Sequence, residues 1–278
     1  LHPFLQYFAP QKAITKLAWF MAENKTPWIK NYLINYFLLR YPVNMQEASE
    51  PNPFAYASFN DFFTRSLKPT ARQIITNNQT IVSPADGIIA ATGKIQVDQI
   101  FQAKNHNFSI RDLLGDNSID SSQFTNGTFC TIYLAPHNYH RVHMPLDGSL
   151  EQMLFIPGKL FSVSTKTSDA IPNLFARNER LVTIFNTNIG KVAVILVGAM
   201  VVGSIETSWQ KNISPPHHSQ IKAWHYDQKI KLNKGEELGL FKLGSTVITL
   251  FPRNTTEIQQ NITAKHKILM GQPIAHII

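Results

Sequence analysis

Gly244 and Ser245 share a peptide bond that the serine itself can attack. A Ser hydroxyl next to a backbone carbonyl can convert the amide into an ester. Glycine on the acyl side has no Cβ, so its carbonyl is sterically open and the chain can bend there. Elimination from the ester leaves dehydroalanine, and hydrolysis of that gives a pyruvoyl group, a carbonyl cofactor made from the chain. The plain alternative is a Gly-Ser-Thr turn ahead of the apolar run Val247 to Phe251, and both readings stay open on these residues alone. A hydroxyl is a weak nucleophile and needs a base, with something to orient the base. His143 and Asp86 can supply those parts in the manner of a Ser-His-Asp triad, which is recognised by geometry and not by order in the chain. Asp86-Gly87 is equally an ordinary turn signal.

His140 and His143 stand three residues apart, and on a regular strand they would face opposite ways. Pro136 and Pro145 argue against a long regular strand, so both can line one site. A zinc site lacks a convincing set of further ligands, and no metal is expected. His217-His218, after Pro215-Pro216, reads as an exposed loop. Two rivals to self-cleavage remain. One is a serine hydrolase using Asp86, His143 and Ser245 on an intact chain, although the Gly-x-Ser-x-Gly elbow is missing. The other is a lipid-surface binding module without chemistry.

These residues need a scaffold, and the pattern changes along the chain. Residues 1–41 carry Lys12, Lys16, Lys25, Lys30 and Arg40 against the lone acid Glu23. Thr26-Pro27 predicts a helix start, and Pro42 stops that helix near Arg40. Trp28, Ile29, Tyr32, Leu33, Tyr36 and Phe37 make one broad apolar face, and Ile14, Leu17, Ala18 and Met21 mark a short helix before it. This hairpin either packs on the core or lies in a membrane interface with its lysines toward anionic lipid. Both can hold, with one face on each. A polar connection with Pro51 and Pro53 follows, then a helix over Phe59 to Leu67. Strands are expected at Ile88–Ala91, Gly127–Leu134, Val182–Asn186, Val192–Val197, Ile221–Trp224, Thr246–Phe251 and Pro273–Ile277, with short helices at Ile110–Leu114 and Leu174–Arg177. The fold class is α+β: a helical region over 1–57, then one compact β-rich, sandwich- or barrel-like domain over 58–278.

The 278 residues suffice for a sizeable core, and 44% hydrophobic with 16% charged residues describes a folded chain. The net charge of +8 favours an anionic partner. Nucleic acid is not expected, because no Lys/Arg-dense run or nucleic-acid motif is present. Cys130 is the only cysteine, which excludes an internal disulfide and suggests a buried, inert thiol. The longest apolar run, Val192 to Gly203, is too short to span a bilayer as a helix. No cleavable secretion signal is visible.

Seven blocks appear in one order. They are FNDFFTRSLKP (Phe59 to Pro69), VSPADG (Val82 to Gly87), FQAKNHNFS (Phe101 to Ser109), YHRVHMP (Tyr139 to Pro145), PNLFARNER (Pro172 to Arg180), LVGAMVVGSIET (Leu196 to Thr207) and KGEELGLFKLGSTVITLF (Lys234 to Phe251). Together they resemble the membrane-bound phosphatidylserine decarboxylases of bacteria and mitochondria. The resemblance implies self-cleavage between Gly244 and Ser245 into a long chain (1–244) and a short one (245–278), with Asp86, His143 and Ser245 as its catalytic residues. It implies a pyruvoyl group derived from Ser245, whose ketone forms a Schiff base with phosphatidylserine and releases phosphatidylethanolamine after loss of carbon dioxide. It assigns protonation of the resulting carbanion to His140. It further implies a homodimer, peripheral on an anionic membrane surface at the cytoplasmic face of the bacterial inner membrane, or in second place at the mitochondrial inner membrane. Phe155, Phe161, Leu174 and Phe175 then hold acyl chains or are plain core.

Overall fold

The structure is a computed structural model that describes residues 3–103, 106–115, 119–200, 204–211, 213, 220–227, 229–242 and 245–278. Gly244, the end of the apolar run at Gly203 and the pair His217-His218 lie outside them.

Helices come first: α1 (Gln11–Ala22), α2 (Pro27–Arg40) and α3 (Phe59–Phe63). Pro27 opens α2, where its missing N–H costs nothing. The Thr26 side chain makes no capping bond, and its N–H is held by Asn24 Oδ1 at 2.8 Å. Tyr41 turns extended, as a residue ahead of proline must, and the helix stops. α3 is capped by Ser58, whose hydroxyl accepts the Asp61 N–H at 3.1 Å. It ends four residues short of the expected Leu67. The reason is tertiary: Ser49 N–H bonds the Ser66 carbonyl, Lys68 N–H bonds the Glu47 carbonyl, and Leu67 pairs with Ala48, which draws residues 66–68 out of the helix.

The strands are β1 (Thr80–Val82), β2 (Gly87–Lys94), β3 (Gln99–Ala103), β4 (His106–Ser109), β5 (Thr128–Leu134), β6 (Arg141–His143), β7 (Gly148–Ile156), β8 (Arg180–Thr187) and β9 (Gly190–Val197). They continue as β10 (Ile205–Thr207), β11 (Lys222–His225), β12 (Lys231–Leu232), β13 (Glu237–Phe241), β14 (Ser245–Phe251), β15 (Thr256–Ile258), β16 (Lys267–Ile268) and β17 (Pro273–Ile277). The main sheet runs β11-β7-β8-β9-β14-β5-β2-β16, with β12 also on β7, and it does not close into a barrel. A second sheet, β10-β13-β6, carries His143 at one strand end. A third is β1-β17-β15. With helices ahead of sheets, the α+β class is what the chain adopts.

The main sheet is buried on both faces. Val192, Val194 and Leu196 enter one apolar cluster, while the alternating Ala193, Ile195 and Val197 enter another. That is why the sequence of β9 is apolar throughout and not alternating. Phe155 lies in the first cluster and Phe161, Leu174 and Phe175 in the second, all at most 1% exposed, so these four are core. Cys130 is also fully buried, and burial pushes its thiol pKa up to about 12, which keeps it protonated and inert.

A third cluster joins Ala22, Ile34 and Phe37 to Phe59, Phe62 and Phe63, with Phe37 edge-on to all three α3 rings. This cluster draws residues from both sides of the expected boundary between 57 and 58. The opposite side of the hairpin is bare: Phe20, Trp28, Tyr32, Tyr36 and Leu39 are all exposed. The broad face expected of α2 is thus split, with Phe37 inside and Trp28, Tyr32 and Tyr36 outside. Lys12, Lys16, Lys25 and Arg40 are exposed too, but Lys30 is buried with its ammonium on the Phe54 carbonyl at 2.7 Å. Among the described residues no helix is long and apolar enough to cross a membrane.

Candidate active site

Ser245 is the first residue of β14, opposite Leu134 of β5. It is fully buried, and its Oγ has no hydrogen-bond partner among the described residues. Thr246 beside it has no partner for its own Oγ1 among the described residues either. Buried hydroxyls are rarely left so, because an unmade hydrogen bond costs about 1–3 kcal/mol. An orphaned hydroxyl at a strand start is a poor structural element. It suits a nucleophile, and its place fits a side chain that becomes a pyruvoyl group.

From Leu134 the chain leads directly to the histidines. Ala135 N–H is bonded by Asn138 Oδ1 at 2.8 Å, and the Asn138 carbonyl lies 2.9 Å from His140 Nδ1. A carbonyl only accepts, so Nδ1 carries the proton and Nε2 bears a lone pair. That Nε2 has no partner among the described residues. Burial pulls the His140 pKa down to about 3, so the ring is neutral at physiological pH. The Phe63 ring packs on it at 4.2 Å between centroids. Phe63 also lines an apolar cavity of about 480 Å³ between hairpin and β-domain, together with Met21, Leu33, Tyr36, Phe59 and Met200.

His143 is held at both nitrogens. Nδ1 is 2.8 Å from the Gly235 carbonyl, and Nε2 is 3.0 Å from the Tyr139 hydroxyl. The ring is therefore the Nδ1–H tautomer, with Nε2 accepting from Tyr139. Burial lowers its pKa, with the Gly235 carbonyl opposing, so the basic form predominates near neutral pH. Gly235 has φ +82, and a Cβ there would run into Ile74, so a glycine is needed to aim this carbonyl.

Asp86 sits just before β2. Its carboxylate takes Arg72 Nε at 3.0 Å, Arg72 Nη2 and the Met270 N–H at 2.8 Å. Arg72 also reaches Glu47 at 2.9 Å. Burial opposes the Arg72 charge, but the bonds to Asp86 and Glu47 outweigh it and raise the pKa. Asp86 and His143 are neighbours through the backbone, because His143 N–H donates to the Pro84 carbonyl at 2.8 Å. The carboxylate acts on the imidazole through space, favouring its charged form, and Gly235 fills the place at Nδ1 that a triad carboxylate would hold. Ser245 Oγ makes no hydrogen bond to either histidine. Ser245 pairs with Leu134, from which the chain runs to His140 and His143, and His143 N–H bonds Pro84 two residues before Asp86; no hydrogen bond among the described residues links Ser245 to the other three.

A family model described as phosphatidylserine decarboxylase matches residues 59–276, and one described as PSD matches residues 1–42. The chain belongs to the phosphatidylserine decarboxylase family. Phosphatidylserine decarboxylase proenzyme from Saccharophagus degradans is 49% identical over 275 residues, covering 98% of this chain and 96% of that protein. The proenzyme from Aliivibrio fischeri strain ATCC 700601 / ES114 is 46% identical, covering 99% and 97%. That of Escherichia coli O45:K1 is 45% identical, covering 98% and 86%.

Within this family member, three groups around the site escaped the sequence reading. Tyr139 lies in a sequence block with no role expected of it, yet its hydroxyl donates to His143 Nε2 at 3.0 Å. Arg72 holds Asp86 from 14 residues away. Lys242, two residues before Gly244, bridges Glu23 of the hairpin and Glu206 of β10 at 3.1 Å each. The first has a local signal, its position four residues from His143. The other two arise only on folding.

Proposed function

We propose that this chain is a proenzyme that cuts itself between Gly244 and Ser245 and then decarboxylates phosphatidylserine to phosphatidylethanolamine. The carrying observation is the buried, unpartnered Oγ of Ser245 within a chain of this family. Ser245 attacks the Gly244 carbonyl, and His143 Nε2 is the base, reached directly or through the Tyr139 hydroxyl. Asp86 supplies the negative potential that stabilises His143 once it is protonated, and Arg72 fixes Asp86. The pyruvoyl ketone left on the short chain supplies the electrophile and electron sink for loss of carbon dioxide.

The neutral ring of His140 suits a base better than an acid. Its bare Nε2 can take a proton from the substrate's ammonium group, which must be deprotonated before it reacts. The same nitrogen can then return that proton to carbon. The assignment of His140 as the final donor rests on that return step, which its low pKa favours while opposing the uptake. The apolar cavity beside Phe63 suits acyl chains. The exposed aromatic face of the hairpin, with Lys12, Lys16 and Lys25, suits an anionic bilayer surface. We place the enzyme there, as a peripheral homodimer on the cytoplasmic face of the bacterial inner membrane.

The test is turnover of phosphatidylserine in detergent micelles by purified protein, followed on a denaturing gel. The reading expects two chains and phosphatidylethanolamine. An intact chain that hydrolyses esters would support a serine hydrolase instead.

A further inference from the structure

Arg65 follows α3 and is 4% exposed, yet its Nε and Nη1 have no partner among the described residues. Nη2 donates to the His137 carbonyl at 3.2 Å, and the guanidinium lies 5.7 Å from the Phe62 ring centroid. Arg72, whose side chain is 7% exposed, and the buried Arg180 show how this chain satisfies such a group. Arg72 is clamped by two carboxylates. Arg180 donates to four backbone carbonyls, those of Leu113, Ala176, Asn178 and Asp112. Arg65 has one carbonyl and a ring face. The nearby carboxylates of Asp86 and Glu47 both belong to Arg72, and burial lowers the Arg65 pKa without neutralising it. A buried cation lacking an anion is costly, and a native chain retains one where a ligand completes it.

The position of this cation tells which ligand. Phe63, two residues earlier, packs on His140, and Nη2 grips His137 in the loop that runs from Leu134, opposite Ser245, to His140. Ser245 Oγ, His140 Nε2 and the open donors of Arg65 are therefore three unpaired polar groups tied to one loop. Ser245, His140 and Arg65 are all buried here, so a ligand role for them requires that maturation open the site.

We infer that Arg65 binds the phosphodiester of the glycerophospholipid head group, an assignment that rests on the decarboxylase reading above. The substrate offers two anions. A guanidinium on the carboxylate would hold the ground state more tightly than a transition state in which that charge is leaving, and would slow the reaction. The phosphodiester keeps its charge throughout, and a planar guanidinium matches its oxygens. Arg65 then anchors the head group, while the apolar surroundings of His140 and Phe63 receive the carboxylate.

The experiment compares wild type, Arg65→Met and Arg65→Lys on two substrates: phosphatidylserine in micelles, and O-decyl-L-serine, which keeps the amine, the carboxylate and a tail but has no phosphodiester. For Arg65→Met the proposal expects mature chains on a gel and a kcat/KM for phosphatidylserine lower by roughly 10- to 100-fold, mainly through KM. It expects less than about a threefold change on O-decyl-L-serine, and an intermediate loss for Arg65→Lys. Equal losses on both substrates, unchanged kinetics on phosphatidylserine, or failure of both variants to mature would overturn it and leave Arg65 a structural residue. If wild type does not turn over O-decyl-L-serine, inhibition by glycerophosphoethanolamine decides: at least about tenfold weaker on Arg65→Met is expected, and equal inhibition refutes the assignment. A wild type inert toward phosphatidylserine would instead sink the decarboxylase reading.

Discussion

The hairpin of α1 and α2 and the β-domain bury opposite things. In the β-domain, apolar residues are inside on both faces of the main sheet, and the conspicuous misfits are polar: Ser245 Oγ, His140 Nε2 and the Arg65 donors, buried and unpaired. In the hairpin the misfits are apolar: Phe20 at 65% exposed, Trp28 at 74% and Leu39 at 80%. Each misfit costs free energy in water and is explained by something outside the isolated chain. We propose that it is a reaction and its substrate for the β-domain and an apolar phase for the hairpin. The two regions meet at α3, which packs on Ile34 and Phe37 on one side and on His140 through Phe63 on the other.

This contrast can be broken from either end. The largest effect is expected for His143→Ala, which removes the base: self-cleavage should slow by about 10³-fold on a time-course gel, with binding to anionic liposomes unchanged. Normal maturation would take His143 out of the site. In wild type, because burial depresses the His143 pKa, the basic form persists as pH falls. The acid limb of self-cleavage should therefore lie below about pH 6.5, the ordinary histidine value. A limb above that would contradict a buried neutral base. His140→Ala should mature but lose about 10²-fold or more in decarboxylation, measured as released carbon dioxide. If that variant stays uncut while His143→Ala matures and turns over, the two roles are reversed.

Smaller effects belong to the hairpin. Deleting it outright would also uncover Phe59, Phe62 and Phe63 and free Lys242 from Glu23, so substitution is the cleaner probe. Trp28→Glu with Leu39→Glu should weaken sedimentation with anionic liposomes by roughly 10- to 100-fold and leave self-cleavage intact. Unchanged sedimentation would mean that the exposed face serves another partner. Arg72→Met should lower stability by about 3 kcal/mol in a denaturant titration, since it strands the Asp86 carboxylate in a buried site. A loss under about 0.5 kcal/mol would show that Asp86 finds another partner.

How much of this was legible depends on whether the cause is local. α2 was readable because Thr26-Pro27 and Pro42 bracket it, and β17 because turn residues flank a short apolar run. The nine-residue β7 was missed: Glu151 and Gln152 interrupt its alternation, where the register with β8 shifts. β13 was missed because five residues around Gly239 carry little pattern, and the glycine is there to let β10 approach. Asp86, His140, His143 and Ser245 could be put forward as candidates because they sit in recognisable blocks. The grip of Tyr139 and Gly235 on His143, and of Arg72 on Asp86, was not legible, since folding alone creates those contacts. The choice between acyl pocket and core for Phe155, Phe161, Leu174 and Phe175 also needed the packed structure.

The central claim is that Ser245 cuts the chain and becomes the cofactor. The most direct measurement is the intact mass and N-terminal chemistry of the chains after purification, beside Ser245→Ala. The account predicts a chain ending at Gly244 and a 34-residue chain, Ser245 through Ile278, that resists Edman degradation and acquires an N-terminal lactoyl group on hydride reduction. It predicts one intact, inactive chain for Ser245→Ala. A wild-type protein that decarboxylates phosphatidylserine as a single uncut chain, with Ser245 unmodified, would contradict it.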